Sequence, residues 1–210
     1  SNYRIIGFTK QVNICRLAGL AHENGLLAVD DLGSGALVDL SRWGLPKEPV
    51  VQESVAGGAD AVCFSGDKLI GGPQCGIIVG KAEVIDRIKS NQLTRALRCG
   101  KMTFAVLEAT LRLFEDEKRL LEEHPVMRML TEPDSEIKKR CLSLKRKLGG
   151  LKDSRRSLQV KEDKSEIGSG SLAGYDILTW VLSIAVKGMR AETLAREMRL
   201  GRTPVAGRLK

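Results

Sequence analysis

Aromatic residues supply only 4% of this 210-residue chain, as four Phe, two Trp and two Tyr. What remains is an aliphatic-rich composition. Histidine is scarcer still: His22 and His124 are the only two, and neither has an acidic or cysteine partner at catalytic spacing, so both read as structural or surface residues within helices. The five cysteines, Cys15, Cys63, Cys75, Cys99 and Cys141, form no CxxC pair and have no nearby histidine to complete a zinc set. No metal site is expected, and an odd, scattered count suits a reducing compartment. No apolar run approaches the roughly 20 residues of a membrane span, and the N-terminus lacks the pattern of a signal peptide. The expectation is a soluble, cytoplasmic protein with no membrane partner. No internal repeat is visible. Gly168-Ser169-Gly170-Ser171 lacks the lysine and the strand-to-helix context of a P-loop and reads as a plain turn. The chain begins Ser-Asn-Tyr without methionine and ends as a further strand is due to start, so a fragment cut at both ends is expected.

The length fits one large domain or two small ones, and 42% hydrophobic with 29% charged residues is the balance of a globular protein rather than a disordered one. The net charge is +8. Eleven basic and three acidic residues lie between Lys138 and Lys164, so this stretch alone accounts for the whole excess. An anionic partner is one reading of it, and a solvated basic helix and loop is the other.

Apolar spacing predicts a helix over Val12 to Asn24, stopped by Gly25, and then a strand, Leu26 to Asp30. The strand does not alternate, as expected where both faces of a parallel sheet are covered, and it opens into Asp30-Asp31-Leu32-Gly33-Ser34-Gly35. A second unit repeats the order: a helix near Val50 to Ala56, Gly57-Gly58, and a strand Ala61 to Phe64 opening into Ser65-Gly66-Asp67-Lys68. A strand Cys75 to Val79 and a helix Lys81 to Lys89 follow. A helix from Met102 to Phe114 carries Phe104, Leu107, Leu111 and Phe114 on one stripe and is expected to join two domains. Further helices are predicted near Arg119 to Leu130, Ser135 to Leu148 and Ala191 to Leu200, with a polar basic stretch after the second.

Chemistry in parallel sheets collects at the C-terminal ends of strands. Lys68 occupies such a place, in a glycine-rich loop where partial desolvation exposes a nucleophilic amine suited to a Schiff base. Spacing alone leaves a plain surface lysine as an equal reading. Ser65, three residues earlier, is placed to donate to a cofactor phosphate. The Asp30-Asp31 pair ends the neighbouring strand, and an aspartate there can hold a pyridoxal phosphate ring nitrogen protonated. Adjacent strand residues point to opposite faces, so only one of the two can face a ring; a simple Asx turn is the alternative for the pair. Arg95 and Arg98 are spaced i, i+3, which on a helical turn projects both guanidinium groups to one side as an anion clamp or, more ordinarily, as a solvated face.

These segments carry a resemblance. Asp30-Asp31-Leu32-Gly33-Ser34-Gly35-Ala36-Leu37-Val38-Asp39-Leu40-Ser41, Gly44-Leu45-Pro46-Lys47-Glu48-Pro49, Phe64-Ser65-Gly66-Asp67-Lys68-Leu69-Ile70-Gly71-Gly72-Pro73-Gln74 and Arg95-Ala96-Leu97-Arg98 closely resemble the bacterial selenocysteine synthase family, the L-seryl-tRNA(Sec) selenium transferases. The resemblance implies an α/β fold of fold-type I, a pyridoxal phosphate-dependent transferase. Residues 1–115 would be the C-terminal half of the large parallel-sheet domain, and residues 116–210 a smaller, incomplete α+β C-terminal domain.

It implies Lys68 as the Schiff-base lysine with Asp67 beside it, Asp31 at the ring nitrogen with Asp30 in reserve, and Ser65 as a cofactor-phosphate contact. Arg95 and Arg98 would line the selenium-donor pocket. The implied reaction converts seryl-tRNA(Sec) to selenocysteinyl-tRNA(Sec) with selenophosphate, through an aminoacrylyl intermediate, in a homo-oligomer built from dimers; this piece alone would be inactive. A related pyridoxal phosphate lyase acting on a small amino acid, or a non-catalytic RNA-binding or oligomerisation fragment, are the competing expectations.

Overall fold

The most deeply buried strand of the computed structural model is β2, Ala61–Ser65. The structure describes residues 7–8, 12–150, 154–168, 172 and 174–209. These residues fall into two compact units, one running to Thr131 and including 166–175, the other comprising 132–165 and the residues from Asp176 onward.

In the first unit β2 is flanked by β1, Val29–Gly33, and β3, Gly76–Gly80. β1 runs parallel to β2, with Val29 opposite Ala61 and Asp31 opposite Cys63; the register shifts between Asp31 and Gly33. β3 is antiparallel, with Ser65 opposite Gly76 and Ala61 opposite Gly80. The expected parallel arrangement therefore holds for β1 and β2 only. A parallel return needs a crossover of about a dozen residues or more, and the segment between Ser65 and Gly76 is too short to supply one.

α1, Ile14–Glu23, is capped by Asn13, whose side chain accepts from Cys15 N. The strand expected from Leu26 begins only at Val29. Leu26 N donates to Ala21 O at 2.8 Å, which ties it to the end of α1, and Leu26 and Leu27 are exposed. α2, Val51–Ala56, lies in the crossover from β1 to β2, and α3, Ala82–Ser90, follows β3 directly. α4, Leu93–Leu97, leads to α5, Lys101–Leu113.

Val51, Ala59, Val62, Phe64 and Ile70 form the buried core, with Leu32, Leu107, Leu111 and Phe114 packed against it. The spacing of Leu107 and Leu111 puts both on the buried stripe of α5. Phe104 does not belong to it and is exposed, although the same periodicity includes it.

The single helix expected near Arg119 to Leu130 is two, α6 (Glu117–Glu123) and α7 (Pro125–Thr131). His124 between them is extended, at φ −80° and ψ 115°, because a following proline ring excludes the helical region for the residue before it. His124 is thus a junction residue, fully buried, and not a helical one.

In the second unit α8, Asp134–Gly149, packs on β5, Asp176–Val186, which pairs with β4, Arg156–Glu166. The polar basic stretch expected after α8 is largely strand, its Leu158 and Val160 more buried than the Ser157 and Gln159 that alternate with them. The β5 strand is not among the elements that local pattern predicts. α9, Ala191–Leu200, lies where the periodicity puts it. Residues 169–171 of the Gly168–Ser171 turn lie outside the described residues. Among the described residues no helix is long and apolar enough to cross a membrane.

Candidate active site

Because β1 and β2 are parallel neighbours, their C-terminal ends lie side by side, and each opens into a polar turn. After β1 the chain bends through Gly33 and Gly35, at φ 64° and 70°, a left-handed conformation that glycine adopts without steric cost. A Cβ on Gly35 would stand 2.8 Å from Ser65 O and 3.1 Å from the Phe64 ring, so this turn rests directly on the end of β2. Ser34 between them is buried; its Oγ donates to Glu48 Oε2 at 3.2 Å, and its carbonyl accepts from Leu69 N at 3.3 Å. The last bond joins the β1 turn to the loop that carries Lys68.

That loop is closed at its base by Gly66 N donating to Cys75 O at 2.9 Å and Gly72 N to Gly66 O at 2.8 Å. A side chain on Gly66 would collide with Cys75 Sγ, which is why the two limbs can approach so closely. Lys68 is half-buried, and its carbonyl accepts from Gly71 N at 2.9 Å, making a turn over Lys68 to Gly71. Leu69 and Ile70, the next two residues, are buried, so the turn is anchored from below by apolar burial.

Asp67 is exposed beside Lys68. Ser65 is the last residue of β2, half-buried and opposite Gly76. Asp30 and Asp31 point to opposite faces of β1, as alternation requires. Asp30 shares the face of Leu32, which packs on the core, and Asp31 is exposed on the face of Val29 and Cys63. Burial raises the Cys63 thiol above its ordinary value, and the nearby charges of Asp31 and Asp30 raise it further. The Cys75 thiol is likewise raised by burial first, then by Cys99 and Asp67.

Arg95 and Arg98 stand three residues apart at the end of α4. α4 ends at Leu97, and Arg98 is its extended C-cap at φ −62° and ψ 139°. Only Arg95 lies within the helix, and both side chains are exposed. At φ −62° Arg98 still carries its Cβ where the helix would place it, because its extended ψ redirects only the chain that follows.

Two apolar grooves border the sheet, one lined by residues such as Val51, Phe64 and Leu111, the other, of about 500 Å³, by residues such as Val29, Cys63 and Leu97. Neither includes Lys68, Asp67, Asp31 or the two arginines. Asp67 and Lys68 sit on the turn after β2, outside both of these grooves.

The whole chain, residues 1–210, matches the family model described as L-seryl-tRNA selenium transferase. The chain belongs to this family. Relatives named L-seryl-tRNA(Sec) selenium transferase include those of Carboxydothermus hydrogenoformans, 48% identical, and Desulfotalea psychrophila, 42% identical; each match covers all of this chain and 45% of the relative. The chain thus spans rather less than half the length of these members of the family. Among solved structures, a D-glucosaminate-6-phosphate ammonia-lyase shares the fold, with a TM-score of 0.50 and 19% identity over 98% of this chain and 47% of that one. The expected α/β fold of fold-type I stands on these two likenesses together.

Two residues near the Lys68 loop escaped the sequence reading. Glu48 uses both carboxylate oxygens, on Ser34 Oγ and on Leu172 N at 2.8 Å. It stands within the family-like segment Gly44 to Pro49, yet nothing local marks it as a bridge. His124 bonds Ile70 O across 54 residues; its one local signal is the following Pro125.

Proposed function

We propose that this chain carries the lysine-bearing part of a pyridoxal phosphate-dependent enzyme that converts seryl-tRNA(Sec) to selenocysteinyl-tRNA(Sec) with selenophosphate as selenium donor. Family membership supports the reaction class, and one structural observation supports the assignment of residues. The parallel pairing of β1 and β2 puts the Asp30-Asp31 carboxylates and the Lys68 loop on the same end of the sheet, joined by the Ser34 to Leu69 hydrogen bond.

This donor set fits the cofactor: an amine for its aldehyde and a carboxylate for its ring nitrogen. When bound, the cofactor supplies an electron sink for charge at the substrate α-carbon. Lys68 Nζ would hold the cofactor aldehyde and, once displaced by the seryl amine, act as base for the α-proton. Asp31, on the face of β1 away from the core, is assigned to the ring nitrogen with Asp30 in reserve. Ser65 is assigned to the cofactor phosphate, helped by backbone N–H groups of the glycine turn. Arg95 and Arg98, three residues apart at the end of α4, would bind the anionic donor. Asp67 is assigned to the active site beside the lysine.

In this reading residues 1–115 contribute to the cofactor-binding large domain, and 116–210 to a smaller C-terminal domain. The working enzyme is a cytoplasmic homo-oligomer built from dimers. Borohydride reduction of the intact protein with pyridoxal phosphate tests the assignment: the cofactor should become fixed on the peptide containing Lys68. Attachment elsewhere, or none, overturns it. Turnover of a free amino acid without tRNA dependence would instead identify a related lyase.

A further inference from the structure

His124 is fully buried, yet its ring is bonded at both nitrogens. Met127 N donates to Nδ1 at 3.1 Å, the bond of an N-cap residue to the third residue of α7. A ring nitrogen that accepts carries no proton, so the proton is on Nε2, which donates to Ile70 O at 2.7 Å. The Phe114 ring meets the imidazole edge-on, with centroids 5.2 Å apart and planes at 72°. One tautomer and one orientation satisfy all three neighbours.

The receiving carbonyl lies inside the turn that begins at Lys68. Ile70 is the third residue of that turn and is fully buried, so its carbonyl has no access to water and His124 is the partner that satisfies it. The fourth residue, Gly71, is at φ +64°, and a Cβ there would stand 2.7 Å from His124 Cε1 and 2.9 Å from Val126 Cγ2. Gly71 is therefore the residue that lets the imidazole approach. The turn is held by Gly71 N to Lys68 O within itself, by Leu69 N to Ser34 O on one side, and by His124 Nε2 to Ile70 O on the other.

We propose that His124 is a positioning residue for Lys68: by donating from Nε2 to the Ile70 carbonyl it fixes the Lys68 to Gly71 turn, and so the direction in which the lysine amine leaves the loop. The inference rests on the assignment of Lys68 to the cofactor, but His124 touches neither cofactor nor substrate and acts through the backbone.

Two substitutions separate its two bonds. His124→Gln keeps an amide donor near the position of Nε2, whereas His124→Asn keeps an acceptor near Nδ1 for Met127 but cannot reach Ile70. Two readouts are taken on the intact protein: hydrogen exchange of the Gly71 amide without cofactor, and the rate at which borohydride fixes pyridoxal phosphate to Lys68. His124→Asn should lose Gly71 protection and slow trapping by roughly tenfold, the scale expected when a reacting group is misplaced by less than an ångström. His124→Gln should restore both. Wild-type protection and trapping in a folded His124→Asn variant overturn the proposal.

If His124→Asn does not fold, Gly71→Ala replaces it. Its Cβ drives the imidazole from the turn, so wild-type trapping in that variant overturns the proposal. Absence of Lys68 trapping in the wild type defeats the cofactor assignment instead. In that event the exchange data alone decide whether His124 holds the turn.

Discussion

The Asp60 carboxylate meets the Lys81 ammonium at 2.7 Å, at the end of β2 opposite the Lys68 loop. Asp60 is buried, whereas Lys81 and the second side-chain partner, His22 at 2.9 Å, are partly exposed. Asp60 also accepts from Ala28 N at 2.7 Å, and its own N–H donates to Ala28 O. One side chain thus ties α1, the approach to β1, β2 and the start of α3. The Lys81 hydrogen bond is the main influence holding the Asp60 carboxyl well below the usual carboxylate range, followed by the Ala28 N–H and His22.

A folded-state pKa below the unfolded value of about 3.9 means that Asp60 stabilises the fold fully above that value and ceases to do so as pH falls toward its folded pKa. Thermal unfolding between about pH 2 and pH 5 should show wild-type stability declining on acidification. Asp60→Asn should lower the midpoint at neutral pH and flatten that decline. Asp60→Ala leaves Ala28 N unsatisfied as well and should lower the midpoint by about 10 °C. An Asp60→Asn curve parallel to that of the wild type would count against the assignment.

Two glycines should respond in opposite directions to alanine. Gly35, at φ +70° and against Ser65 O, has neither the backbone freedom nor the space for a Cβ, and Gly35→Ala should cost about 1–3 kcal/mol. Gly19, inside α1 with nothing within 4 Å of a Cβ, should gain about 0.5–1 kcal/mol. Denaturant unfolding of both variants checks the pair; a neutral Gly35→Ala would mean that the β1 turn does not rest on β2 as described.

Lys68 and Arg98 should separate cofactor from donor. Lys68→Ala is expected to abolish the absorbance of protein-bound pyridoxal phosphate, while Arg98→Ala keeps that band and weakens dependence on selenophosphate by about 1.5–3 kcal/mol, the range of a hydrogen bond to a charged group. Titration of the donor against each variant makes the comparison. An unaltered donor requirement in Arg98→Ala removes that residue from the donor site.

Lys145, Arg146 and Lys147 are exposed near the end of α8, inside the stretch that carries the net charge. Replacing all three with Gln should flatten the salt dependence of tRNA binding by about 0.7–0.9 log units per log unit of salt for each phosphate that is no longer neutralised. An unchanged slope would assign these residues to a solvated face.

Local chemistry made part of this molecule readable. Ala61 to Phe64 is an apolar run bounded by glycine and polar turns, and it is a strand; Ala191 to Leu200 has helical periodicity and is a helix. The resemblance, too, was carried by contiguous runs around Asp31 and Lys68. Predictions failed where a local pattern had no matching neighbour. Phe104 has the spacing of the α5 stripe but covers no surface among the described residues, and Leu26 and Leu27 look like strand but have no partner residues in β2.

By itself the sequence determined the class of fold and the order of the first strands with the polar turns that follow them, because turn residues, apolar runs and family motifs are properties of neighbouring residues. Tertiary structure alone decided the direction of β3, the burial of His124, and the bonds from Glu48 to Leu172 and from His22 to Asp60. Those contacts close over 124 and 38 residues, and His124 reaches Ile70 over 54. No periodicity encodes such a pairing: each polar group finds its partner only after the apolar core has brought the segments together and removed water as the alternative.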